Sequence, residues 1–412
     1  MDLLIQNASQ IVTCASKGKR FKAGKEQSDI GLIEDSHIYI RNGIIKYIGK
    51  DVPAKIVKSR IRKVYAGDMV VMPGFIDSHT HLVFAGDRTN EYSMRVAGKT
   101  YEEIAASGGG IINTVDAVRK SSKRELFELA MKRIKNFVRF GVTTMEAKSG
   151  YGLDTENEIK MLEVIYALRK TCAVEIFPSF LGAHAVPKDR TKEEYIEEIL
   201  YEMLPRIAKH KLAEFIDVFC EKNYFTAEET EKILRQGIKF GLIPRFHTNQ
   251  FHSIGGIDVA LKTKAIAVDH LETLNKEEIA KLKGAGIIAC LLPGASYFLK
   301  MQYPPARELI DNSVPVALAT DFNPGTCMTE NIQFIMSLAV HEMNMNIEEA
   351  INAVTVNAAA SLGISGRVGS IEVGKQADLV VLDMPDYRHL FYHLGINPVV
   401  NVIKKGKVIY QR

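Results

Sequence analysis

His79 and His81 sit one residue apart at the end of a strand-like apolar run, Val70-Val71-Met72-Pro73-Gly74-Phe75-Ile76-Asp77. Successive side chains of a strand alternate faces, so residues two apart share one. The spacing therefore sets two imidazoles side by side, which is half of a metal site. A histidine pair on the wet face of a strand is the plainer reading, but the apolar residues before it show little sign of such a face. What decides is whether the rest of the chain supplies the other half.

Stepping along the chain from Met72, short apolar strands alternate with amphipathic helices. The expected strands are Gly74–His79, Val142–Ala147, Val174–Leu181, Ile216–Cys220, Ile243–His247, Ala265–His270, Ile287–Leu292 and Val316–Thr320. Helices are expected over Lys123–Phe140, Glu156–Lys170, Lys192–Ala208, Ala227–Phe240 and Lys276–Lys283. This alternation predicts an α/β fold, a parallel (β/α)₈ barrel of the TIM type. Active sites of such barrels lie at the C-terminal ends of the strands. There, strand five ends in Arg245-Phe246-His247, strand six in Val268-Asp269-His270 and strand eight in Ala319-Thr320-Asp321. Imidazoles with a carboxylate suit zinc or ferrous iron better than magnesium or calcium.

Both ends of the chain read as β. Ile38–Arg41 and Ile44–Ile48 flank Asn42-Gly43, a strong hairpin signal. Asn346–Leu362 reads as one helix, with Asn346 as N-cap and Glu349 three residues on. Beyond it, Gly369–Leu382 reads as two short strands around a turn, and Lys405-Gly406 as the turn of another hairpin. The terminal segments are expected to pair into one small sheet domain, giving residues 1–66 and 366–412 to that domain and 67–365 to the barrel.

Of the 412 residues, 46% are hydrophobic and 25% charged, the balance of a globular protein with a full core. A net charge of +4 with no dense basic block does not support nucleic-acid binding; Lys17 to Lys25, the nearest approach, reads as a solvated loop. The five cysteines are scattered without zinc-ribbon or redox spacing, which fits a reducing compartment. The N-terminus shows no signal peptide and no apolar stretch has membrane-spanning length, so a cytoplasmic location is expected.

The order His-x-His, His, His, Asp on strands one, five, six and eight resembles the metal-dependent amidohydrolases. Glu146–Leu153, Phe180–His184, Asp217–Glu221 and Ala319–Gly325 are similar to the signatures of the imidazolonepropionase family within it. So are Phe75–His81 followed by Arg88, and Gly108-Gly109-Gly110-Ile111 upstream of Thr114-Val115. The resemblance runs from about Met72 to the C-terminus, with weaker support before it.

The resemblance implies hydrolysis of the ring of 4-imidazolone-5-propanoate to N-formimidoyl-L-glutamate, the third step of histidine degradation, in a likeness that suggests a homodimer. It implies His79, His81, His247 and Asp321 as ligands of one zinc or iron ion, and Arg88, Tyr151, His184, Gln250, Asn323, Gly325 and Thr326 as substrate contacts. A metal with an open position lowers the pKa of bound water from about 15.7 toward ~7. Asp321 can be ligand and proton acceptor, and His270 can polarise the carbonyl, or else orient a ligand. Arg88 offers a planar fork for the propanoate. Many members of the family carry glutamate where this chain has Gln250, and an amide cannot take a proton from water at neutral pH. The proton-acceptor role then falls to Asp321 or His270. Strand four ends in Glu221 with Lys222 beyond it, and Lys148 follows strand two, so no lysine is placed to bridge two metals and Lys148 reads as structural or as support for the ligands. The competing readings are another amidohydrolase, such as a heterocyclic-base deaminase, and an inactive barrel serving as an assembly subunit.

Overall fold

Eight parallel strands follow one another around a barrel in the computed structural model, which describes residues 2–53, 61–99, 103 and 109–412. They are Phe75–Asp77, Val142–Lys148, Glu175–Ala183, Phe215–Cys220, Ile243–Thr248, Ala267–His270, Ile288–Leu291 and Val316–Leu318. Each is buried along nearly its whole length, as expected of strands covered on both faces. Strands one and eight meet just past their ends, where Thr80 bridges Phe322 in parallel. There the His81 N–H donates to the Phe322 carbonyl at 2.9 Å and the Asp321 N–H to the His79 carbonyl at 3.1 Å. Closure at the mouth is thus what sets the histidine pair against Asp321.

Local sequence starts the helices. Those beginning at Lys123, Lys192, Ala227, Lys276 and Ile347 each open on a reciprocal capping box, with Ser122, Thr191, Thr226, Asn275 and Asn346 paired to a glutamate three residues on. The helix from Lys192 passes through a π-turn at Ile199–Met203 before continuing as Leu204–His210. Pro205 has no N–H to return to the preceding turn, and the wider turn accommodates that loss.

A second sheet joins the two ends of the chain. Its strands run in the order Lys407–Gln411, Val399–Lys404, Leu379–Leu382, Val70–Pro73, Asp2–Val12, Leu32–Arg41 and Ile44–Gly49, with Arg62–Tyr65 also paired to Asp2–Val12. One face packs Leu3, Ile5, Ile38, Val71, Leu379 and Ile403 into a core of its own. Val70, Met72 and Val380 turn the other way into the barrel's core.

Four expectations change. The run Val70–Asp77 is not one strand: Val70–Pro73 lies in the terminal sheet and Phe75–Asp77 in the barrel. Gly74 makes the crossing because a Cβ there would lie 2.3 Å from Thr143 Cγ2. His79 therefore stands beyond the strand rather than ending it. Asn346–Leu362 breaks into Ile347–Ala353 and Val356–Ser361. Val354-Thr355-Val356 are all β-branched, and the break lets the Val354 carbonyl accept the Ile76 N–H of strand one at 2.9 Å. In Gly369–Leu382 only Leu379–Leu382 is a strand. The preceding turn spends its backbone on Thr13, Gly43 and Ile45 instead of on a partner strand. Lys17–Lys25 is only partly solvated, for Lys22 is 3% exposed and exchanges backbone hydrogen bonds with the side chain of Asn357. Among the described residues, no helix is long and apolar enough to cross a membrane.

Candidate functional site

At the barrel mouth, His79 and His81 flank Thr80, which strand two grips from behind. The Thr80 N–H donates to Glu146 Oε2 at 3.1 Å, its hydroxyl to the Glu146 carbonyl at 2.6 Å, and its own carbonyl accepts the Lys148 N–H at 2.9 Å. His79 Nε2 and His81 Nε2 converge on Asp321 Oδ1, at 3.5 and 3.4 Å. The His247 ring lies with its centroid 4.5 Å from that of His79 and 5.5 Å from that of His81. His270 completes a triangle with His247 and His79, its ring 5.3 Å from the one and 5.9 Å from the other. Two of these residues hold left-handed backbone, His270 at φ 83° and Asp321 at φ 52°. Such conformations are costly for side chains with a Cβ and gather where a site needs a side chain aimed.

The histidines are backed by carboxylates. His247 Nδ1 lies 2.9 Å from Asp217 Oδ1, His79 Nδ1 3.1 Å from Asp269 Oδ2, and His270 Nδ1 3.2 Å from Glu272 Oε1. An ionised carboxylate only accepts, so each Nδ1 carries a proton. His79 and His247 can then turn an Nε2 lone pair toward the mouth, while His270, its pKa raised beside Glu272, can carry a second proton on Nε2. Neither buried ring nitrogen of His79 makes a hydrogen bond of good geometry: Nδ1 has only the Asp269 carboxylate near it and Nε2 only Asp321. Buried polar atoms without partners are rare, and an ion is one of their standard explanations. Three imidazole nitrogens and one carboxylate oxygen match the donor preference of zinc or iron. The residues present therefore fit the metal that the sequence implies.

The electrostatics follow from the same contacts. Burial pushes the Asp321 carboxyl up, but His79 and His81 outweigh it and hold it well below the ordinary range. Burial, with His79 and Lys148 adding to it, holds His247 well below its usual value. Burial also opposes protonation of His270, yet Glu272 beside it leaves its pKa raised. His184 is pushed down to about 3 by burial and by His81, on which it stacks at 5.2 Å. Its Nδ1 lies 2.9 Å from the Gly150 carbonyl. A carbonyl can only accept, so this neutral ring carries its proton on Nδ1 and keeps Nε2 as an acceptor.

A cleft of about 560 Å³ opens above these groups. It is lined by His81, His247, His270 and Asp321, and by Arg88, Tyr151, His184, Gln250, Asn323 and Thr326. Of the residues singled out in the sequence, His79 and Gly325 alone do not line it: His79 is the fully buried floor and Gly325 lies behind Arg88. The Arg88 fork is already half used, since Nε and Nη2 bind Glu91 Oε2 at 2.8 and 2.7 Å. Asn323 is spent within its own loop: Nδ2 donates to the Asp321 carbonyl and Thr326 Oγ1, and Oδ1 accepts from Gly325 and Thr326. Gly108, part of the glycine motif, lies outside the described residues.

With this geometry in place, likeness to known proteins narrows the family. The amidohydrolase family model matches residues 70–409. An imidazolonepropionase of Clostridium tetani (strain Massachusetts / E88) is 42% identical over 415 residues, covering 100% of this chain and 99% of that protein. One from Caldanaerobacter subterraneus subsp. tengcongensis is 44% identical over 406 residues, covering 98% and 96%. The chain belongs to the imidazolonepropionase family.

The fold of this imidazolonepropionase family member is shared more widely. A zinc-bound adenosine deaminase from Xanthomonas campestris superposes with a TM-score of 0.73 at 19% identity, covering 99% of this chain and 92% of that one. A triazine hydrolase variant gives a TM-score of 0.77 at 16% identity, with 100% and 95% covered. Identities this low speak for the architecture alone.

Sequence reasoning overlooked the roles of Asp217, Asp269, Glu272 and Glu91 in this imidazolonepropionase site. A signal was present for Asp217, an acid inside the apolar strand Phe215-Ile216-Asp217-Val218-Phe219. A carboxylate placed there must find a cation or a donor. Which donor it finds depends on the register with strand five, where His247 lies opposite Phe219.

Proposed function

We propose that this chain hydrolyses the ring C–N bond of 4-imidazolone-5-propanoate to N-formimidoyl-L-glutamate, in histidine degradation, with one zinc or iron ion held by His79, His81, His247 and Asp321. The observation that carries this reading is the convergence of His79 Nε2 and His81 Nε2 on Asp321 Oδ1 beneath a cleft that also holds Arg88.

The chemistry supplied by the ion, when bound, is Lewis acidity that brings the pKa of a water from about 15.7 toward ~7. The protein's own groups do the rest. Asp321 accepts the water's proton and returns it to the ring nitrogen that leaves as the C–N bond breaks. Its Oδ2, 3.4 Å from Thr326 Oγ1, is the oxygen not shared with His79 and His81. His270, braced by Glu272, donates from Nε2 to the carbonyl oxygen as it gains charge. General acid–base help of this kind contributes about 10²–10⁴-fold. His184 Nε2 accepts a ring N–H. Gln250, in the cleft wall, donates to and accepts from the ring but takes no proton. Arg88 meets the propanoate through Nη1, the edge that Glu91 leaves open. Asn323 and Gly325 act by shaping the loop that carries Asp321 and Thr326.

The test is loss of imidazolonepropionate absorbance with purified protein, with and without a chelator. Turnover that the chelator abolishes and zinc or iron restores is the expected result. No metal-dependent loss of substrate overturns the proposal.

A further inference from the structure

Lys148 ends strand two beneath the candidate metal site with no exposed surface. A lone buried ammonium is costly unless anionic partners surround it, so its partners show what it is there to do. Its Nζ lies 2.7 Å from Asp217 Oδ2, 2.7 Å from Glu146 Oε1 and 3.8 Å from Asp269 Oδ2. Asp217 and Asp269 are the carboxylates behind His247 and His79. Glu146 grips Thr80, the residue between His79 and His81. One cation on strand two therefore touches the carboxylates behind His79 and His247 and, through Glu146 and Thr80, the segment that carries His79 and His81.

We infer that Lys148 is a positioning residue for the metal ligands, acting through Asp217 and Asp269. The inference rests on the metal site proposed above. With its Oδ2 drawn to Lys148, Asp217 keeps Oδ1 for both the backbone N–H (3.1 Å) and the Nδ1 (2.9 Å) of His247. Asp269 accepts from Arg245 Nη2 on both oxygens, at 2.9 Å on Oδ1 and 3.2 Å on Oδ2, and its Oδ2 also faces His79 at 3.1 Å and Lys148 at 3.8 Å. The ammonium donates to Glu146 and Asp217 and its charge also reaches Asp269 at 3.8 Å, so one cation serves carboxylates on three different elements, which no neutral side chain does. Take the charge away and Asp217 is left buried with an unmatched oxygen, free to rotate and release the His247 ring from its tautomer. A purely structural salt bridge would cost stability without touching the ligands once the chain had folded.

The experiment is zinc affinity measured by competition with a chromophoric chelator, together with the absorption spectrum of the cobalt(II)-substituted protein, for wild type, Lys148→Met and Lys148→Arg. Loss of a group that orients metal ligands typically weakens metal binding about 10–100-fold. Folded Lys148→Met should show a loss of that size and altered cobalt bands, with Lys148→Arg recovering part of both. Combined with Asp217→Asn, it should lose less than the product of the two single losses, because both act on His247. If Lys148→Met does not fold, Lys148→Gln carries the same comparison. Unchanged zinc affinity and cobalt spectrum in a folded neutral variant overturn the inference while leaving the metal site standing. A wild-type chain that binds no zinc overturns both.

Discussion

Gly325 and Arg88 approach so closely that a Cβ on the glycine would lie 2.2 Å from Arg88 Nη1. That nitrogen belongs to the edge of the guanidinium not engaged by Glu91, the edge assigned here to the propanoate. Gly325→Ala should therefore displace Arg88 rather than unfold the chain. Hydrogen bonds to charged groups contribute about 1.5–3 kcal/mol, so kcat/KM should fall roughly 10–100-fold, mostly through KM. Steady-state kinetics decide it, and an unchanged KM would remove Arg88 from the substrate's tail.

The division of labour between Asp321, His270 and Gln250 is open to kinetics as well. His270→Ala should retain metal and lose about 10²–10⁴ in kcat. Asp321→Asn should lose at least as much, and metal affinity besides. Gln250→Ala, lacking only hydrogen bonds to the ring, should lose far less in kcat than either. Near-normal turnover of metal-loaded Asp321→Asn and His270→Ala would refute the proton route.

Glu221, in the wall of the cleft, governs the Gln250 loop. Its buried carboxylate accepts the backbone N–H groups of Phe251 at 2.9 Å and His252 at 3.2 Å, and lies 2.9 Å from His252 Nδ1. Glu221→Ala strands those donors at a cost of about 1–3 kcal/mol. Urea unfolding should show that loss, and KM should rise more than kcat falls. A stable variant with wild-type KM would show that the loop positions itself.

Acid stability should depend on Glu175, where the barrel meets the terminal sheet. It binds both arms of Arg367, at 2.8 and 2.9 Å, and Lys404 at 3.2 Å. Burial pushes its pKa up, but Arg367 and Lys404 outweigh that and bring it from 4.5 down to about 2. The folded value lies below the unfolded one, so the stabilisation is complete above pH 4.5 and is lost as the pH falls toward about 2. Glu175→Gln lacks this contribution at neutral pH. The stability gap between wild type and variant, about 1–3 kcal/mol at pH 7, should therefore close over that window. Denaturant titrations across the acid range measure it, and a gap independent of pH would contradict the assignment.

Much of the barrel was legible because its signals are local. Short apolar runs marked the strands, amphipathic stretches between them marked the helices, and Asn346 with Glu349 three places on marked a helix start. His79, His81, His247, His270 and Asp321 could be picked out because barrel chemistry collects at strand ends, and the structure gathers all five at one mouth. What lay beyond the sequence depended on contacts between distant segments. The break at Thr355 is set by an Ile76 N–H far away in the chain, and the crossing at Gly74 by the side chain of Thr143. The carboxylates behind the histidines come from neighbouring strands, so register and barrel closure choose which acid meets which imidazole. Side-chain types and their periodicity are properties of the chain alone. The pairing of Lys148 with Asp217, or of Asp269 with His79, exists only once the sheet has closed and water has been driven from between them.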